Sequence, residues 1–198
     1  MSRYLAPLPD ELTERQRELY CSITDGPRKQ QASLVPVTDA DGRLLGPFAL
    51  MTIAPTIGET VQAVGAALRF AGAFSARARE LAILTVAVHH GSDFEWFAHV
   101  DAAREAGLSH AQLRALQQRE IPADLDAQEA VVHRVVCELL ADGRLSDTLY
   151  AEAVTSLGAA GIAECIWLIG YYSMLQLALA AFDPVVPSAV VGAVTRPV

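Results

Sequence analysis

Charged residues and cysteines are both scarce in this sequence, and each shortage limits what the protein can be. Charged residues make up 19% of the 198 residues, below the roughly 25% of an average globular domain. Hydrophobic residues make up 52%, so the chain can bury one sizeable core and still present apolar surface to partner subunits. We therefore expect a homo-oligomer, either a dimer, a trimer or a hexamer.

Positive charge is also scarce. The net charge is −8 with a pI near 5, and the one basic cluster is the small pair Arg28-Lys29. Because nucleic acid is held mainly by clustered Lys and Arg, we expect no nucleic-acid partner.

The three cysteines, Cys21, Cys137 and Cys165, are widely scattered and form no CxxC motif. An odd count without a secretory leader fits a reducing cytosol, so we expect each thiol to be a small core residue. The N-terminal MSRYLAPLPDEL contains no apolar segment typical of a signal peptide. These features predict a cytoplasmic protein.

One segment, residues 161–182, has the length of a helix that spans a bilayer. It contains Glu164 and Gln176 and has no flanking Lys or Arg anchors. A helix that is apolar all round is also typical of a central core helix. We expect a core helix and no membrane association.

Apolar spacing, helix caps and glycine stops predict an all-α fold of seven or eight helices with short connections. We treat residues 1–198 as one domain with three regions: an extended loop at 25–55, rich in Gly and Pro, a core motif region at 57–118, and C-terminal helices at 126–182. The second predicted helix follows Pro55 and has one apolar face, formed by Ile57, Val61, Val64 and Leu68. The third is capped by Ser75 and ended by Gly91. The other predicted helices are 10–24, 92–106, 109–116, 126–142, 146–157 and 161–182.

Most ionisable groups that could do chemistry lie between Arg77 and His99. Glu95 and His99 are four residues apart and share a helix face, with Ser92 three residues before Glu95 at the helix start. Glu80, on the preceding helix, approaches this face if the two helices pack antiparallel across the intervening glycine turn. A histidine held by a carboxylate in a partly dry pocket suits proton transfer, and a helix N-terminus beside it can bind an anion.

Each of these residues also has a purely structural interpretation. Ser92 and Glu95 are also consistent with a capping box. His99 is consistent with a hydrogen-bonded interior histidine, and Glu80 with a carboxylate in the first turn of its helix. A metal site built from His89, His99 and Glu95 is less favoured, because this spacing matches no known ligand signature.

The segment RARELAILTVAVHHGSDFEWFAHVDAAREAGLS, residues 77–109, resembles the central motif of the carboxymuconolactone decarboxylase family, which also contains the AhpD-like alkylhydroperoxidases. The flanks GPFALMTIAPTIGETVQAVGAALRF and IAECIWLIGYYSMLQLALAAFDPVVP are similar to those of the subgroup without cysteines in the motif. The resemblance covers nearly the whole chain and implies an AhpD-like helical bundle.

In the peroxidase branch of that family, the pattern is a Glu, then a CxxC pair, then a His four residues after the second Cys. On this chain the Glu falls on Glu80, the two cysteines on Ser92 and Glu95, and the His on His99. A thiol peroxidase needs one thiolate to attack the peroxide and a second Cys to resolve the product. Thiol hydroperoxidase activity is therefore disfavoured.

The resemblance then implies a lyase, a decarboxylase or an isomerase that acts on a small carboxylated or lactone-like metabolite and needs no metal or organic cofactor. His99 would donate or accept the proton, Glu95 would orient it, and Glu80 would be a second acid or base. The candidate substrate-binding residues are Ser92, Arg77, Arg79 and His89.

Two positions depart from the cysteine-free relatives. Phe97 stands where those relatives often carry another His, and Ala180 stands where they carry an Asn. These departures imply a different substrate or a reduced activity. The alternative hypothesis is a non-catalytic ligand-binding or scaffolding oligomer, in which the motif serves helix capping and packing.

Overall fold

The fold is all-α, as predicted from the sequence. The computed structural model describes residues 2–26, 36–186, 190 and 193–195, and these residues form eight helices and no strand. The helices are α1 (Glu14–Thr24), α2 (Gly46–Met51), α3 (Pro55–Phe70), α4 (Ala76–His90), α5 (Asp93–Glu105), α6 (His110–Gln117), α7 (Ala127–Asp142) and α8 (Asp147–Phe182).

The chain divides into two compact units. One consists of residues 1–71 and 174–189, and the other of residues 72–173 and 190–198. Helix α8 begins in the second unit and ends in the first. The single domain that we expect from the sequence stays a prediction.

In the first unit, α3 packs against α1 and α2. The glycine side of α3 makes the closest approach, because a Cβ placed on Gly58 would lie 2.2 Å from the carbonyl oxygen of Met51. By contrast, Ile57 and Val64 on the predicted apolar face are 67% and 42% exposed. The apolar spacing therefore identifies the helix correctly but not the side of the helix that packs within the chain.

The extended loop predicted at 25–55 is wrong over Gly46–Met51, which form α2. Pro47 lies in the first turn of this helix, where a proline is compatible with helical geometry, and the apolar side chains that follow it are buried. The loop contains a turn at 39–42, in which the Gly42 N–H donates to the Asp39 carbonyl at 3.1 Å. Residues 27–35 of the predicted loop lie outside the described residues.

Helix α4 is the centre of the second unit and contacts α5, α6 and α7. Ser75 caps its start, and Gly91 ends it in the left-handed conformation with φ 66°, as predicted. Because other helices cover α4 on several sides, ten of its fifteen residues are buried. Leu81 and Leu84 pack there with Trp96 of α5 and Leu113 of α6 in one apolar cluster.

Helix α8 covers the two helices predicted at 146–157 and 161–182. Gly158, with φ 68° and ψ 174°, interrupts the helical geometry close to the predicted gap. The expectation of a core helix holds for the side that carries Cys165 and Leu168, both buried, but it is wrong for Trp167 and Leu177, which are 64% and 71% exposed. Among the described helices, α8 alone is long and apolar enough to cross a bilayer by length and composition, and 33% of its most apolar window is buried within the chain.

The cysteines also differ from the expectation. Cys165 is buried, and burial, together with the nearby charge of Glu164, raises the pKa of its thiol to about 12. Cys21 and Cys137 are exposed, so the prediction that each thiol is a core residue is wrong for these two. Cys21 and Cys137 each lie on a side of their helix that faces solvent. The average preference of cysteine for burial does not predict which side of a helix is exposed.

Candidate active site

The turn between α4 and α5 positions the candidate site. Gly91 adopts the left-handed conformation that lets the chain reverse after α4. The next residue, Ser92, donates its N–H to the Ala87 carbonyl at 2.8 Å and caps α5 with its side chain. This compact connection packs α5 against α4 and brings residues of the two helices together.

Three side chains converge where α4 and α5 meet. His99 Nδ1 lies 2.7 Å from Glu80 Oε2, a short hydrogen bond, and His99 Nε2 lies 3.6 Å from Glu95 Oε2. Glu80, Glu95 and His99 are only 1%, 3% and 6% exposed. The structure thus brings together all three residues that the sequence predicts as catalytic, including Glu80, whose approach depended on how the helices cross.

Ser92 and Glu95 form only one half of the predicted capping box. The Ser92 hydroxyl accepts a hydrogen bond from the Glu95 N–H at 3.4 Å. The return bond to the Ser92 N–H is replaced by the bond from that N–H to Ala87. The Glu95 carboxylate is therefore not used for capping, and it faces His99 instead. At Ser109 and Gln112, at the start of α6, a complete capping box is present.

An aromatic pair from α8 borders the histidine. The ring of Tyr172 meets the ring of His99 edge to face, with centroids 5.3 Å apart, and Tyr171 packs on Tyr172 in the same manner at 5.2 Å. Both tyrosines are buried. Neither tyrosine is among the site residues predicted from the sequence, although two adjacent tyrosines within an otherwise apolar helix are a signal that polar groups are needed there.

The charges of the cluster balance when His99 is protonated. Arg79 Nε lies 3.7 Å from Glu80 Oε1, and the Arg79 side chain is only 15% exposed. Two ionised carboxylates would then meet one guanidinium and one imidazolium, which avoids an uncompensated buried charge. Because both nitrogens of His99 face carboxylate oxygens, the donor role of Nδ1 toward Glu80 is assigned from these contacts.

Two of the predicted substrate-binding residues lie elsewhere. Arg77 donates from Nη1 to both carboxylate oxygens of Glu129 at 3.0 and 2.9 Å, and from Nη2 to Gln112 at 3.2 Å. It joins the start of α4 to α6 and α7. His89 is exposed and lines a cavity among α4, α6 and α7. Of the four predicted binding residues, Arg79 and Ser92 lie beside the cluster.

Comparison with known proteins gives a family match over the segment that carries α4 and α5. Residues 55–135 match the model of the carboxymuconolactone decarboxylase family. The chain is therefore similar to this family over residues 55–135. All the candidate residues on α4 and α5 lie inside the matched segment, whereas the tyrosine pair of α8 lies outside it.

The fold of this chain is also found in a solved structure. That structure is an uncharacterized peroxidase-related protein from Ralstonia eutropha JMP134, described as an alkylhydroperoxidase AhpD core. The two proteins are 12% identical, with a TM-score of 0.71, and the match covers 100% of this chain and 98% of the other. At this identity the likeness establishes an AhpD-like fold. The comparison with curated protein sequences gave no significant match.

Proposed function

We propose that the protein is a cofactor-independent lyase or decarboxylase, or an isomerase, that moves a proton on a small carboxylated or lactone-like metabolite. The observation that supports this proposal is the buried His99, which has a carboxylate at each ring nitrogen. A histidine that only fills a core is commonly satisfied by backbone carbonyls or water. Two carboxylates around one imidazole are instead a pattern that suits proton transfer.

Each member of the cluster has a distinct task in this proposal. The 2.7 Å bond to Glu80 holds the ring and keeps a proton on Nδ1, so that proton exchange occurs at Nε2. The 3.6 Å between Nε2 and Glu95 Oε2 exceeds a hydrogen-bond length of about 3 Å. Glu95 can therefore exchange a proton with His99 through a group placed between them or after a small closure of this gap.

A decarboxylation at this site needs no external oxidant or reductant. The bond between the substrate and its carboxylate carbon breaks and carbon dioxide leaves, while the electron pair moves onto a conjugated carbonyl of the substrate. The resulting enolate then takes a proton at carbon from His99, and solvent restores that proton, which Glu95 can relay to the ring. Arg79 and the N-terminus of α5 supply positive charge for the substrate carboxylate and the developing oxyanion.

A thiol peroxidase remains disfavoured by the residues present. Ser92 and Glu95 occupy the positions of the two redox cysteines, and neither side chain can form a disulfide. Cys165, in the same compact unit, has its pKa raised to about 12 by burial and by Glu164, so it carries almost no thiolate at neutral pH.

The proposal is tested by screening small unsaturated lactone acids for release of carbon dioxide or for isomerisation. His99→Ala and Glu95→Gln should each lower turnover by about 10²- to 10⁴-fold, the usual contribution of a general acid or base. His110→Ala is the matched control, because His110 is exposed at the start of α6. If turnover is unchanged in both site variants, neither residue takes part in the mechanism.

The alternative is a non-catalytic ligand-binding or scaffolding oligomer, and exposed apolar side chains favour it. Ile57 of α3 and Trp167 of α8 are 67% and 64% exposed. We propose that such side chains contact further copies of the chain in a cytoplasmic homo-oligomer. Sedimentation in detergent-free buffer should show a dimer, trimer or hexamer that Trp167→Glu weakens. A wild-type monomer at micromolar concentration would contradict this assembly.

A further inference from the structure

A cavity of about 180 Å³ lies in the second unit among α4, α6 and α7. Its apolar lining comes from Val88, Leu116, Ile121 and Leu140. A protein cavity of roughly 150 Å³ with an apolar lining is large enough to hold benzene. The volume here therefore suits a six-membered ring with one small substituent.

This cavity is separate from the candidate active site. It includes Thr85 and His89 of α4, and these residues project about 140° and 180° around the helix axis from Glu80 at 100° per residue. The two sites therefore use different sides of α4. An inference about the cavity does not depend on the proposed function.

His133 gives the cavity its polar character. The residue lines the cavity and is only 5% exposed. Its Nε2 and Nδ1 lie 3.6 and 4.0 Å from the same atom, Cys137 Sγ, and these are the hydrogen-bond contacts of its ring among the described residues. Burial lowers the pKa of His133, so at neutral pH the ring has one donor and one acceptor nitrogen.

One thiol cannot satisfy both ring nitrogens. Sulfur is a weak hydrogen-bonding partner, and a buried nitrogen without a good partner is destabilising. A ligand hydroxyl placed in the cavity would give His133 a stronger partner than the Cys137 thiol. The ring nitrogens of His133 thus indicate where the polar group of a ligand would lie.

The rim of the cavity favours a neutral ligand. Arg119 and Glu120 both line it, and their charges are opposite. Arg119 Nη2 donates to the carbonyls of Val88 and His89 at 3.2 and 3.4 Å. Its positive charge is thereby directed at the C-terminal end of α4, where it complements the helix dipole, and it does not form a site for an anion.

We propose that this cavity binds a small, neutral, monocyclic alcohol or phenol, with the ring against Val88 and Leu116 and the hydroxyl donating to a ring nitrogen of His133. Phenol is the simplest probe of this class. Toluene is its matched control, because it has nearly the same shape and no hydroxyl.

The first test measures protection of Cys137. In a Cys21→Ser background, N-ethylmaleimide should label Cys137, because Cys165 is buried. Saturating phenol should slow this labelling at least threefold. If phenol leaves the labelling rate unchanged, it does not occupy the cavity and the proposal is overturned.

The second test measures affinity by calorimetry. Wild-type protein should bind phenol about three- to tenfold more tightly than toluene, the value of one net hydrogen bond. His133→Phe should remove that preference, whereas His110→Phe, at an exposed histidine, should retain it. Equal affinities of the wild-type protein for phenol and toluene would overturn the role of His133, and this comparison does not require the His133 variant to fold.

Discussion

Replacing Arg77 by Met should destabilise the protein strongly. The sequence predicts a substrate-binding role for this residue, but the structure shows it in a buried ion pair. Arg77 Nη1 pairs with both carboxylate oxygens of Glu129 on α7, and Nη2 donates to Gln112 on α6. The Glu129 side chain is 4% exposed and that of Arg77 is 26% exposed. Loss of the guanidinium would leave a buried carboxylate without its counter-charge.

The expected cost follows from this burial. Removing one partner of a fully buried ion pair costs about 3–5 kcal/mol. Arg77 is partly exposed, and the Asp126 N–H still donates to Glu129 at 3.0 Å, so we expect about 3 kcal/mol. Arg134→Met is the matched control, since Arg134 also pairs with a glutamate, Glu152, through two guanidinium nitrogens, but both of these side chains are 44% exposed.

Urea unfolding followed by circular dichroism measures the difference. Arg77→Met should unfold at a clearly lower urea concentration than the wild type, and Arg134→Met at nearly the same concentration. Adding Glu129→Gln to Arg77→Met should recover part of the loss, because the amide removes the buried charge and can still accept the bond from Asp126. If Arg77→Met loses no more stability than Arg134→Met, the buried pair does not stabilise the fold as reasoned.

Two further predictions concern packing and pH. Gly58→Ala should lower the free energy of unfolding by about 2 kcal/mol or more, because the new Cβ would lie 2.2 Å from the Met51 carbonyl oxygen. Gly170→Ala is the control: a Cβ there meets no atom within 4 Å, so this change should be neutral or stabilising by up to about 1 kcal/mol in the same unfolding assay. Burial lowers the pKa of His133 below its usual 6.5, so the unfolded chain takes up a proton that the folded protein does not. The free energy of unfolding should therefore decrease as the pH falls below about 6.5, with His133 alone contributing at most about 1.4 kcal/mol per pH unit. His133→Phe should flatten this dependence without abolishing it, since burial also lowers the pKa of His90; an unchanged slope would contradict the assignment.

Local signals were sufficient to predict most helix boundaries. Ser75 begins α4, Gly91 ends it, and Gly143 ends α7, each as the sequence indicates. A cap or a left-handed glycine depends on hydrogen bonds among a few adjacent residues, so a short stretch of sequence contains all the information required.

Side-chain roles were less predictable where the partner lies far along the chain. The sequence places Glu95 and His99 on one helix face, and the structure agrees. It gives no sign that Tyr172 packs on His99 or that Arg77 is paired with Glu129. These contacts join different helices, and their existence depends on how the helices pack.

By itself, the sequence of this protein determines its helical class, where most of its helices begin and end, and which ionisable groups share the turn between α4 and α5. Only the tertiary structure decides that Glu80 binds Nδ1 of His99, that the glycine side of α3 packs inward, and that one side of α8 stays exposed. The physical reason is the range of the interactions. Helix formation and capping act over about four residues, whereas the buried side of a helix and the partner of a buried charge depend on surfaces supplied by distant segments.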